Sequence, residues 1–90
     1  MYTYLISYDL RQPGKDYTQL HTHLKSYSDW AKPLESVWLI KSSSTCEQLR
    51  NAVQAHIDEN DMILVIDVTG KPAAWDNLAT DVSTWIKSKL

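Results

Sequence analysis

The side chains able to do chemistry are scattered along this sequence rather than gathered in one motif. His21, His23 and His56 offer imidazoles. His21 and His23 stand two positions apart, however, so on a helix they point in different directions. No histidine–carboxylate spacing of the metalloprotease kind accompanies them, and they read as surface or packing histidines. Ser42, Ser43 and Ser44 lack the flanking glycines or downstream lysine of the known serine nucleophile motifs, and helix capping accounts for them better. Cys46 is the single cysteine, which excludes an internal disulfide and any multi-cysteine metal site. It shares an apolar stripe with Leu49 and Val53, so it reads as a core thiol rather than a reactive one. Gly70-Lys71 lacks the glycine-rich loop of a phosphate cradle. Trp30, Trp38, Trp75 and Trp85 have two readings, as stacking platforms for bases or as filling for a core and an interface. There remain the charged and polar residues Asp9, Arg11, Lys15, Lys41, Ser42 and Asp61, whose meaning depends on what the fold brings together.

The elements that position them follow from periodicity. Tyr2 to Leu10 alternates as a strand, with Tyr2, Tyr4, Ile6 and Tyr8 on one face and Leu5, Ser7 and Asp9 on the other. Pro13-Gly14 marks a turn. Asp16 suits a helix N-cap, and Tyr17, Leu20, Leu24 and Tyr27 recur on one helical face, so the spacing predicts a helix from about Tyr17 to Tyr27. Trp30 to Ser42 holds further strand material. Val37-Trp38-Leu39-Ile40 is its clearest part, and Ala31 to Glu35 is a short partner strand or a bent approach, since Pro33 forbids a regular central strand. Ser44 and Glu47 fit a capping box. Cys46, Leu49, Val53 and Ile57 then predict a second helix from about Thr45 to Asp58. Met62 to Val68 reads as a strand stopped by Gly70 and Pro72. Leu78, Val82, Trp85 and Ile86 predict a last helix from about Trp75 to Lys89.

The resulting order is the split βαβ arrangement followed by a helix. The expected fold is therefore α+β and ferredoxin-like (βαββαβ), a core at 1–70 with a helical tail at 71–90. Ninety residues hold one domain. Both internal helices carry one apolar stripe and are expected on one sheet face, leaving the other to the tail or to a second subunit. The first and third strands are expected to be central and parallel, with the fourth antiparallel beside the first. That layout would gather Asp9, Arg11, Lys15, Lys41, Ser42 and Asp61 at one sheet edge and send Asp67 to the opposite end.

Composition narrows the field. Apolar residues make up 43% and charged residues 22%, ordinary for a globular chain. Four Trp and five Tyr with no Phe favour a sizeable contact surface. A net charge of −2 argues against a strongly basic nucleic-acid binder but leaves room for a local basic patch. The longest wholly apolar run, Met62 to Ile66, is far too short to span a membrane. The N-terminal residues show no signal-peptide pattern, and cysteine usage suits a reducing, cytoplasmic setting.

Three segments carry a family resemblance. Tyr4-Leu5-Ile6-Ser7-Tyr8-Asp9-Leu10, an apolar strand ending in Tyr-Asp, resembles the opening of the CRISPR-associated Cas-two family. Glu35-Ser36-Val37-Trp38-Leu39 resembles that family's Ser-Val-aromatic motif, and Ile57-Asp58 with Asp61-Met62-Ile63-Leu64-Val65 resembles its helix-end Asp and last strand. The spacing agrees from about residue 2 to residue 68, and the short SinR-like proteins and the VapD toxins share that fold. The resemblance implies a ferredoxin-like homodimer with a place in antiviral defence. In several members the Asp ending the first strand binds a divalent metal at the dimer two-fold and supports phosphodiester cleavage. That role carries over to Asp9, with Mg²⁺ or Mn²⁺ as the ion and RNA or DNA as the substrate.

Two readings of Asp9 therefore stand. It is a hard-oxygen metal ligand in a nuclease, with Arg11, Lys15, Lys41 and Ser42 on phosphate, or it is a strand-end Asp accepting backbone N–H bonds. Members of the family usually enter their first helix through a run of basic residues. Here the segment is Arg11-Gln12-Pro13-Gly14-Lys15-Asp16, with two separated positive charges. Beside the nuclease stand a non-catalytic module binding nucleic acid or a protein partner, and a VapD-like toxin–antitoxin component.

Overall fold

Strand β1, Tyr2–Asp9, sets the frame because it lies between two partners. The computed structural model describes residues 1–11 and 16–90. Along it run α1 (Thr18–Lys25), β2 (Trp30–Leu34), β3 (Val37–Ser42), α2 (Cys46–Gln54), β4 (Met62–Asp67) and α3 (Thr80–Lys89). The four strands form one sheet in the order β2-β3-β1-β4, with every neighbouring pair antiparallel. This is the ferredoxin-like βαββαβ fold with an added C-terminal helix.

The expected parallel pairing of the first and third strands is corrected by this topology. The α1 crossover makes β2 parallel to β1. The tight Glu35-Ser36 turn then reverses the chain, and β3 slots between them antiparallel to both. Tyr2 consequently faces Ser42, while Ser7 faces Val37. On the other side Asp9 pairs with Met62 and Tyr4 with Asp67, which does place Asp67 at the far end. Pro33 sits on the sheet edge, where the register between Ala31 and Leu34 shifts. An edge position lets β2 tolerate a residue that cannot donate to a ladder.

Alternation along β1 divides the apolar residues between two layers. Tyr4, Ile6 and Tyr8 join Trp38 and Ile40 from β3, Leu20 and Leu24 from α1, and Leu49 and Val53 from α2. Both helices thus cover one face. Cys46 packs half-buried against this cluster. Inside it the Trp38 indole N–H donates to the Tyr8 hydroxyl at 3.0 Å, and burial pushes the Tyr8 phenol up from its ordinary pKa. The second face is covered in part by α3. Trp85 and Ile86 are buried against Ala31 and Leu39, with Leu5, Val68, Trp75 and Leu78 alongside. The tail therefore packs on its own sheet.

Several element boundaries differ from those the spacing predicts. The capping box is Thr45 with Gln48, one residue later than Ser44 with Glu47. The Thr45 hydroxyl accepts from the Gln48 N–H at 3.1 Å, and the Gln48 side chain accepts from the Thr45 N–H at 2.9 Å. The Ser44 backbone is already committed, its carbonyl to the Tyr4 hydroxyl and its N–H to Ser42 Oγ. At α1 the N-cap is Tyr17, while the Asp16 carboxylate accepts from the Thr18 N–H at 2.9 Å. The last helix starts at Thr80 rather than Trp75 because Asn77 adopts φ 61°, a left-handed conformation that cannot continue a right-handed helix. Trp75 nonetheless reaches the tail, donating its indole N–H to Ser83 Oγ at 3.0 Å.

One acidic clasp holds α3 in place. Asp29 accepts from the Trp85 indole at 2.8 Å and pairs with the Lys89 ammonium at 2.5 Å. These two hydrogen bonds, that from Lys89 foremost, hold the Asp29 carboxyl below the usual carboxylate range. A depressed folded pKa contributes stability that is present above the unfolded value and is lost as pH falls through the folded one. Melting temperature should therefore drop below about pH 4 more steeply in the parent chain than in Asp29→Asn. Trp85→Ala, which empties the centre of the second layer, should lower the unfolding free energy by roughly 3 kcal/mol in a denaturant titration.

Candidate functional site

The Tyr8-Asp9 pair is a strand end split between two environments. Tyr8 points into the helix-covered core and is anchored there by Trp38. Asp9, one residue on, points to the opposite face, where its side chain is 58% exposed. That face is apolar around it. Asp9 pairs with Met62 and Ser7 with Leu64 across the β1–β4 ladder, and Met62, Leu64 and Ile66 are all exposed. The α3 layer lies toward β2 and leaves this half of the sheet open. Asp9 is thus an open carboxylate at the margin of an uncovered apolar strand face, beside a shallow depression walled by Ser7, Met62 and Leu64.

Arg11 accompanies it. The guanidinium lies 3.0 Å from Asp9 Oδ2 and is itself largely exposed, at 56%. An exposed pair of this kind contributes little to stability, of order 0–1 kcal/mol, so both groups can exchange this contact for another ion or phosphate at small cost.

Behind this pair Asp61 organises the loops. Its carboxylate accepts from the Arg11 backbone N–H at 2.6 Å, the Tyr17 hydroxyl at 2.9 Å and the Asp58 N–H at 2.7 Å. It ties together the segment leaving β1, the start of α1 and the turn before β4. Sequence reasoning put Asp61 at this edge without giving it a role. The available signal was the Asp58-Glu59-Asn60-Asp61 turn, since carboxylates in turns take up backbone N–H groups. Among the described residues, the backbone N–H bonds expected of a strand-end Asp are accepted by Asp61.

The other residues expected near Asp9 are elsewhere. Lys41 and Ser42 pair with Thr3 and Tyr2, at the opposite end of β1, so their expected gathering with Asp9 is corrected. The cause is the antiparallel run of β3. Ser42 is buried and its hydroxyl accepts from the Ser44 N–H. Lys15 lies outside the described residues. Among the described residues no three His, Cys, Asp or Glu side chains converge as a metal cage. Hard-oxygen donor chemistry fits Asp9, but one copy of the chain supplies it singly. His23 and His56 stack at 4.7 Å, His23 Nε2 lies 2.9 Å from the Tyr27 hydroxyl, and burial, then His56, holds the His23 imidazole below its usual pKa.

A ferredoxin-like sheet whose first strand ends in a core Tyr and an open Asp defines a class of small α+β proteins built around that strand end. The family model for "CRISPR associated protein Cas2" matches residues 1–86, and the chain belongs to this family. The match reaches into α3, so the tail helix falls within the family's extent. No curated protein and no solved structure matches the chain. Among the described residues no helix is long and apolar enough to cross a membrane.

If Asp61 holds the site's loops, Asp61→Ala should accelerate amide hydrogen exchange at Arg11 and Asp58. It should cost about 2 kcal/mol of stability, since two backbone donors and a phenol lose a charged acceptor.

Proposed function

We propose that this protein is a homodimeric, divalent-metal-dependent nuclease of the Cas2 family, acting on RNA or DNA at Asp9. The observation that carries the reading is the position of Asp9, an open carboxylate beside the exposed apolar residues of β4. An edge strand exposing Met62, Leu64 and Ile66 is a surface that ordinarily finds a partner. A second copy laid over it would bring two Asp9 carboxylates toward one another. Two carboxylates with substrate phosphate oxygens suit Mg²⁺ or Mn²⁺. When bound, such an ion activates water for attack on a phosphodiester. Arg11 then exchanges its contact with Asp9 for a phosphate oxygen, and Asp61 keeps the Arg11 backbone in place.

A second reading has its own support. The Asp9–Arg11 contact makes the strand end self-satisfied, and a single copy groups no three metal-binding side chains among the described residues. On this reading the dimer is a scaffold that binds nucleic acid or protein without cleaving it; a VapD-like toxin–antitoxin component is a separate alternative, which growth arrest on expression would reveal.

The test is a cleavage assay on purified protein with RNA and DNA, with and without Mn²⁺ or Mg²⁺, beside Asp9→Asn. Cleavage that needs the metal and falls at least roughly a hundred-fold in the variant supports the nuclease. Absence of cleavage by either protein, with the dimer intact, selects the scaffold. Leu64→Lys places a charge in the open strand face and should convert a dimer to monomer in light scattering at micromolar concentration.

A further inference from the structure

A second surface, on the helix-covered side and away from Asp9, combines cations with indoles. Trp38 is its floor, 1% exposed, and Trp30 is its rim, 37% exposed, with ring centroids 5.3 Å apart. Lys25 from α1 places its ammonium 5.8 Å from the centre of the Trp30 ring. Lys32 from β2 does the same at 5.6 Å over Trp38. His21, one turn before Lys25, lies with its ring 6.0 Å from Trp38. The strand alternation and the helix period converge here, since Trp30 and Lys32 share one side of β2 while His21 and Lys25 share one side of α1.

Neither Lys25 nor Lys32 pairs with a carboxylate among the described residues, in a chain whose net charge is −2. Their joint field is felt at His21, whose imidazole is held below its usual pKa by burial, then Lys32 and Lys25. Indole faces account for only about 0.5–1 kcal/mol of attraction per exposed cation. Two ammonium groups held over adjacent rings, neither in an ion pair among the described residues, form a place for an anion. Trp30, only partly covered, adds an indole on which a planar base can stack in exchange for the Lys25 ammonium.

We infer that Lys25, Lys32 and Trp30 form a binding site for single-stranded nucleic acid, the lysines taking backbone phosphates and Trp30 stacking a base. This inference rests on the nucleic-acid reading above but not on metal chemistry. It places the strand on the α1–β2 shoulder, with Trp38 and His21 as the fixed floor. An acidic peptide would use the lysines and leave the Trp30 ring idle, so stacking favours the nucleic acid.

The test measures anisotropy of fluorescein-labelled thymidine and uridine oligomers of about 12 nucleotides, in EDTA, from about 50 to 200 mM salt. The wild-type chain should bind, with affinity falling as salt rises. Lys25→Gln/Lys32→Gln should weaken binding and reduce the salt slope by about 1.4, or 0.7 for each phosphate contact on a single strand. Trp30→Leu should lose roughly ten-fold, and Trp30→Tyr should restore most of it. Lys71→Gln/Lys87→Gln removes the same charge elsewhere and should leave binding within about two-fold. Comparing the two oligomers assigns RNA or DNA. Three outcomes overturn the inference: no binding by the wild-type chain, equal losses in the two lysine double variants, or displacement by polyglutamate as effective as by the oligomer. Metal-dependent cleavage that survives the patch variants with unchanged binding would sink this site alone. Oligomer binding through the patch with no cleavage would sink the nuclease alone.

Discussion

Everything positioned in this molecule depends on β1 being paired on both sides. A strand with neighbours along both edges has its register fixed twice, and a slip of one residue would exchange its two faces. Tyr4, Ile6 and Tyr8 would then leave the helix-covered core, and Asp9 would be driven into it. Burial on one side and an open carboxylate on the other are thus one constraint. The Trp38–Tyr8 hydrogen bond reinforces it at the end of the strand where the Asp stands, because a buried indole N–H without an acceptor is costly.

The two faces of the sheet are finished differently. The α1–α2 side is closed by aliphatic and aromatic side chains from four elements, β1, β3, α1 and α2. The other side is closed only where α3 reaches, through Trp85, Ile86 and the Asp29 clasp. The remainder is β4 with its exposed apolar residues. A small chain that leaves part of a sheet uncovered gains most from association, since burial is what a domain of this size lacks.

Polar residues of similar type end in different roles because of their surroundings. Asp61 and Asp29 are used up internally, one by loop N–H groups and a phenol, the other by an indole and an ammonium. Among the described residues, Asp9 pairs with the exposed Arg11 side chain. Among the cations, Lys89 is neutralised by Asp29, whereas Lys25 and Lys32 lie over indoles. Charge left without a partner after folding is what a ligand can use.

The sequence by itself determined the element types, their order and the split of apolar residues between faces, because alternation and helical period are local properties of the chain. The family was legible through the resemblance carried by the segment ending in Tyr8-Asp9 and by the two later segments, not through periodicity. The tertiary structure alone decided which strand ends meet. Strand direction depends on the crossover through α1 and the Glu35-Ser36 turn together, and this moved Lys41 and Ser42 away from Asp9. It also decided that Asp61 takes the N–H groups of Arg11 and Asp58, that Thr45 rather than Ser44 caps α2, and that Asn77 delays α3. Each of these turns on competition for backbone partners between residues distant in sequence or on a single dihedral, and periodicity carries no information about either.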